Sequence, residues 1–105
     1  MRDDNAVLKE IFERLKDKFP VLDLILFGSR ANGTATAESD YDVLVITESS
    51  IPFIERQGQA LLALGKRDYP LDLLVYTRAE ADVAMKIPGS AIYWAMREGR
   101  RIDAV

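Results

Sequence analysis

The sequence predicts an α+β domain, a small mixed β-sheet covered by helices. Three observations lead there. The 105 residues are 49% hydrophobic and 30% charged, an ordinary globular composition with length enough for one domain and little room for a second. Apolar residues switch between helical spacing and short continuous runs, giving the order α-β-α-β-α-β-α. The first two strand-like runs are separated by a stretch too brief for an ordinary parallel crossover, so they should pair antiparallel. The chain, residues 1–105, is expected to form a single domain with one core.

The elements follow in order. Asp3, Asp4 and Asn5 offer capping oxygens, and Val7, Leu8, Ile11, Phe12, Leu15 and Phe19 recur at helical spacing. This helix should end near Pro20, because the residue before a proline is pushed out of the helical region. Val21 to Phe27 (VLDLILF) reads as a buried strand, and Gly28 to Ser39 as loop or short helix. Tyr41 to Ile46 (YDVLVI) is a second strand, rich in β-branched residues. Ile51 to Leu64 reads as a helix with Pro52 in its first turn and an apolar face of Phe53, Ile54, Ala60, Leu61 and Leu64. Gly65 would cap it. Leu71 to Tyr76 (LDLLVY) is the third strand, and Ala79 to about Met85 a short helix. Gly89 and Ser90 open a last helix through about Glu98, Gly99 ends it, and the tail is expected to add a short edge strand.

Composition excludes much chemistry. With no cysteine there is no disulfide, thiol catalysis or thiolate-held zinc. With no histidine, a general base has to be a carboxylate, lysine, tyrosine or water, and a metal site has to be built from oxygens, which favours Mg²⁺, Mn²⁺ or Ca²⁺. A net charge of −3 argues against broad nucleic-acid binding. The N-terminus, MRDDNAVLKE, is too polar for a signal peptide, and no apolar run is long enough to span a bilayer. The expectation is a soluble cytoplasmic protein with no membrane partner.

Three elements carry chemistry, each with a plainer reading beside it. In Phe27-Gly28-Ser29-Arg30, a glycine after a buried strand allows a sharp turn, and the following serine opens a helical turn whose N–H groups and hydroxyl can cradle a phosphate. The plainer reading is an ordinary turn with Ser29 as N-cap. In Ser39-Asp40-Tyr41-Asp42, the two aspartates lie two apart at a strand start and point to one face. Like charges there repel unless a divalent cation sits between them. A solvated strand end fits them equally. Asp72 lies inside an apolar strand, which is costly without a partner. If that strand lies beside the one opening at Tyr41, Asp72 joins the other two carboxylates as a two-metal site. Helix capping or a bridge to Arg67 is the alternative.

Together these elements are far more specific than apart. FGSRANGTATAESDYDVLV strongly resembles the signature of the DNA polymerase β nucleotidyltransferase superfamily, and most closely its small prokaryotic members, the minimal nucleotidyltransferase (MNT) domains. The resemblance implies that Gly28 and Ser29 bind the triphosphate and that Asp40 and Asp42 hold both Mg²⁺ ions. It makes Asp72 the third ligand, able to help deprotonate the acceptor hydroxyl. It further implies transfer of AMP from ATP onto an HEPN-domain partner, with this chain as antitoxin of the pair. A small-molecule acceptor such as an aminoglycoside is the first alternative, and a non-catalytic antitoxin acting by occlusion the second. A homodimer is also compatible.

Outside that signature, Arg30 lies on the phosphate turn and either contacts the triphosphate or faces solvent. Arg97, Arg100 and Arg101 read as a solvated helix end. Ile92, Tyr93, Trp94 and Met96 cannot all face one core stripe, so Tyr93 or Trp94 is a candidate exposed anchor for a partner.

Overall fold

The computed structural model describes residues 4–36 and 39–101. Its elements are α1 (Asp4–Leu15), β1 (Asp23–Phe27), α2 (Ser29–Asn32), β2 (Tyr41–Thr47), α3 (Phe53–Leu64), β3 (Leu71–Thr77), α4 (Arg78–Ala84), α5 (Ala91–Glu98) and β4 (Arg100–Arg101). One four-stranded sheet has the order β3-β2-β1-β4. β1 runs antiparallel to β2 and to β4, while β2 and β3 are parallel neighbours joined through α3. The mixed sheet and the antiparallel first pair match the sequence expectation. No helix among the described residues is long and apolar enough to cross a membrane.

The sheet divides the interior into two cores rather than the expected one. α1 and α3 cover one face, where Val7, Leu8, Ile11 and Leu15 meet Val43, Val45, Leu73 and Val75. α4 and α5 cover the other, where Ala81, Ile92 and Ala95 meet Ile25, Leu44 and Ile46. The division follows from β2, which is apolar on both faces. α1 stops at Leu15, a turn before the expected end near Pro20. The Lys18 and Phe19 N–H groups both fold back onto the Leu15 carbonyl, and Phe19 still reaches the core. Asp3 lies outside the described residues.

The expected apolar face of α3 needs a larger correction. Ile54 and Leu61 are 78% and 41% exposed, whereas Arg56 is 1% exposed. The side turned inward carries Arg56 and Gln57 because β3 is an edge strand whose open backbone groups need partners. Gln57 supplies them: its amide donates to the Leu73 carbonyl (2.8 Å) and accepts from the Val75 N–H (2.6 Å). Arg56 donates to the Val75 and Ile51 carbonyls and clasps both oxygens of Glu80, at 2.6 and 3.0 Å. Glu80 also closes the capping box of α4 with Thr77.

Candidate active site

Strand register builds the site. Phe27 stands opposite Asp42, and Asp42 stands beside Asp72. Side chains alternate along a strand, so these three share the face that holds Leu44 and Leu74, the α4/α5 face. The row lies at the C-terminal end of β1 and the N-terminal ends of β2 and β3. Tyr41 points the other way, into the α1 core.

Asp42 is half-buried, whereas Asp40 and Asp72 are exposed. Burial pushes the Asp42 carboxyl above its ordinary value, and the charge and hydrogen bond of Asp72, then the charge of Asp40, push it the same way. Asp42 and Asp72 therefore form the close pair, with Asp40 at the loop end just before the strand. Among the described residues no three acidic side chains converge tightly enough to enclose an ion. The donor set nonetheless suits a hard divalent cation: it is all oxygen, and like charges sit together at Asp42 and Asp72.

Gly28 has a reason to be glycine beyond the turn itself. Its φ is 74°, and a Cβ there would overlap the Asp42 carboxylate. The absent side chain lets the glycine turn and the carboxylate touch. Gly28, not Ser29, is the N-cap of α2, and no side-chain capping bond is made there. The plainer reading of Ser29 as a cap therefore fails, and the hydroxyl is available for other work.

Arg30 does not face solvent, nor does it project towards the carboxylates. Its side chain is 9% exposed and donates to Asp4 at 3.1 Å and to the Ser39 carbonyl at 3.1 and 2.8 Å. Its guanidinium carbon lies 3.9 Å from the Tyr41 ring centroid. The Tyr41 hydroxyl donates to the same Asp4 oxygen at 3.0 Å. The arginine expected at the triphosphate thus braces the loop that carries Asp40, pinning it to α1 from behind. A bridge from Arg67 to Asp72 is also not the arrangement found; Arg67 donates to the Gly65 carbonyl.

Two cavities adjoin at the row. One of about 300 Å³ is lined by Phe27, Asp42, Asp72, Leu73, Leu74 and Ala91. The other, about 480 Å³, is lined by Phe27, Gly28, Ala31, Ala91, Trp94 and Glu98. Phe27 and Ala91 belong to both. Trp94, with Tyr93 a candidate exposed anchor from the sequence, is placed by the fold in one cavity wall with Gly28. The signal was available in the spacing of Ala91, Trp94 and Glu98, which puts them on one flank of a helix.

Comparison with known proteins bears on the fold and the family. Over 47 residues the chain is 45% identical to a protein of Methanocaldococcus jannaschii described as a candidate protein adenylyltransferase. That match covers 43% of this chain and 32% of the relative, so it spans about a third of the relative's length. A candidate nucleotidyltransferase from Sulfolobus solfataricus superposes with a TM-score of 0.64 at 22% identity, covering 92% of this chain and 77% of that one. A toxin–antitoxin structure with AMP-PNP superposes with a TM-score of 0.61 at 22% identity, covering 94% and 72%. These superpositions establish a shared fold. The nucleotidyltransferase domain family matches residues 8–97, which runs from within α1 into the last turn of α5 and takes in the glycine turn and the three aspartates, and the chain belongs to that family.

Proposed function

We propose that the protein is a Mg²⁺-dependent adenylyltransferase that moves AMP from ATP onto a hydroxyl of a partner protein, an HEPN-domain toxin in the cytoplasm. The observation that carries the transfer chemistry is the registered pair of Asp42 and Asp72, held against Gly28 and preceded by Asp40. These three aspartates would hold the cation, and the Gly28–Ser29 turn would take the triphosphate through backbone N–H groups and the Ser29 hydroxyl. Bound Mg²⁺ supplies charge neutralisation for the pyrophosphate leaving group and activation of the attacking oxygen. In the step itself the acceptor oxygen bonds to the α-phosphorus, the bond to pyrophosphate breaks, and Asp72 accepts the hydroxyl proton. Arg30 acts as a positioning residue, holding the loop that ends in Asp40.

A protein acceptor is supported by the name of the archaeal relative, and an antitoxin role by the assembly named for the structural neighbour. The test is co-expression with the product of the adjacent gene, followed by mass spectrometry of that product. A mass gain of one or more AMP groups, lost in Asp42→Asn, is the expected result. A tight complex that stays unmodified, with toxin neutralisation unaffected by Asp42→Asn, would overturn the reading in favour of occlusion.

A further inference from the structure

We propose that the cavity between α2 and α5 is the seat of the nucleobase, with the Trp94 indole as its stacking surface and a purine as its preferred occupant. This rests on the nucleotide reading above and goes further by naming where the base lies and what holds it. The argument begins with α5. Ile92 and Ala95 turn to the sheet and are buried. Ala91, Trp94 and Glu98 form a second flank that faces Gly28 and Ala31 across the cavity. The surplus of apolar residues on this helix is therefore explained by two stripes, one for the core and one for the groove.

The groove adjoins the carboxylate site. Its two halves share Phe27 and Ala91, so a molecule lying against Gly28 has Asp42 and Asp72 on one side and Trp94 on the other. A nucleoside triphosphate has one charged end and one flat, largely apolar end. The charged end suits the glycine turn and a carboxylate-held cation. The flat end suits a cavity of about 480 Å³ with an indole in its wall, a volume within the usual range for ligand pockets. Glu98 lies on this wall, where its negative charge turns phosphates away and fixes the orientation of the ligand. Trp94 is 46% exposed, costly for an indole with nothing to cover it. Tyr93 packs against it in a T-shaped contact, with centroids 5.3 Å apart and planes at 86°, which steadies the ring, and the indole surface that lines the cavity is the face offered to a ligand. A purine covers more of that face than a pyrimidine does.

Trp94 is the single tryptophan of the chain, so its emission reports on this wall directly. With Mg²⁺ present, ATP should quench or shift the emission, while inorganic tripolyphosphate should bind by calorimetry and leave the emission unchanged. Trp94→Ala should weaken ATP about tenfold, the scale of losing one base-stacking contact, without affecting tripolyphosphate. Trp94→Phe should restore most of the loss, and CTP should bind less tightly than ATP. The proposal is overturned if ATP binds without altering the emission, or if Trp94→Ala leaves ATP affinity intact, including the case where it raises only the KM for the protein acceptor. If neither ATP nor tripolyphosphate binds, the nucleotide reading itself fails and this seat with it.

Discussion

Two charged pairs lie along β3 and are built on opposite principles. On the β3 edge, Arg56 is buried and its charge is answered: two carbonyls and both oxygens of Glu80 surround it. Arg56 holds the Glu80 carboxyl below its ordinary value, against the smaller opposing effect of burial. At the β2–β3 mouth, Asp42 and Asp72 lie side by side with the same sign, and burial and repulsion push Asp42 upward. The first arrangement has its charge answered within the chain, although the buried Arg56 Nε makes no hydrogen bond, and it holds α3, β3 and α4 together. The second costs free energy as it stands and gains it back only from something positive. The charge on α3 is compensated inside the chain, and the proposed function would have a bound cation compensate the charge at the β2–β3 mouth.

The sharpest way to break this comparison is to remove one member of each pair. Arg56→Leu should destabilise the protein by about 1–3 kcal/mol, chiefly because the Val75 and Ile51 carbonyls lose their donor, while the partly exposed Glu80 keeps its water. Asp42→Asn removes repulsion and should instead stabilise the ion-free protein, by about 0.5–2 kcal/mol. Chemical denaturation of both variants beside the wild type measures the two signs. If Arg56→Leu cost as little as an exposed substitution, or Asp42→Asn were destabilising, the contrast drawn here would be wrong.

The two regions also differ in how readable they were. The carboxylate row was legible because strand periodicity is strict: with the Tyr41 and Leu71 runs as neighbours, the second residue of each must share a face, as Asp42 and Asp72 do. The α3 edge was not legible. Arg56 and Gln57 look like surface residues to any polarity pattern, so Ile54 and Leu61 were assigned to the core in their place. What turned the helix was an unpaired strand edge, a tertiary fact with no trace in the local sequence. Arg30 escaped for the same reason, since its partner Asp4 is 26 residues away. Gly28 was picked out correctly as a turn, but its contact with Asp42 depends on the β1–β2 pairing and could not be read from the turn alone.

Gly28 offers a sharper test of the carboxylate region. An alanine there meets both an unfavourable positive φ and the Asp42 carboxylate. Gly28→Ala should cost about 1–3 kcal/mol, the scale of local backbone strain. In an Asp42→Ala background the overlap disappears and only the φ penalty remains, so the same substitution should cost measurably less. A double-mutant cycle from denaturation midpoints gives the coupling. Strict additivity would show that Gly28 and Asp42 do not press on each other.

The smallest effect is the pH dependence of stability, and the two pairs should drive it in opposite directions. The Glu80 pKa is lowered on folding, so its contribution is present above the unfolded value and is lost as pH falls through the depressed folded value. The Asp42 pKa is raised on folding, so the protonated carboxyl favours the folded state below the unfolded value, and that advantage is lost as pH rises through the elevated folded value. Wild-type stability should therefore climb at the acid end through Glu80 and then give up part of the gain across the window just above the ordinary carboxylate range. Asp42→Asn should abolish the second limb and keep the first, while Glu80→Gln should flatten the first and keep the second. Adding Mg²⁺ to the wild type should also abolish the second limb, because a bound cation favours the ionised form that burial and Asp72 oppose. Thermal melts in matched buffers from acid to neutral pH, with and without Mg²⁺, separate these contributions. A second limb that survives Asp42→Asn would place its origin elsewhere in the molecule.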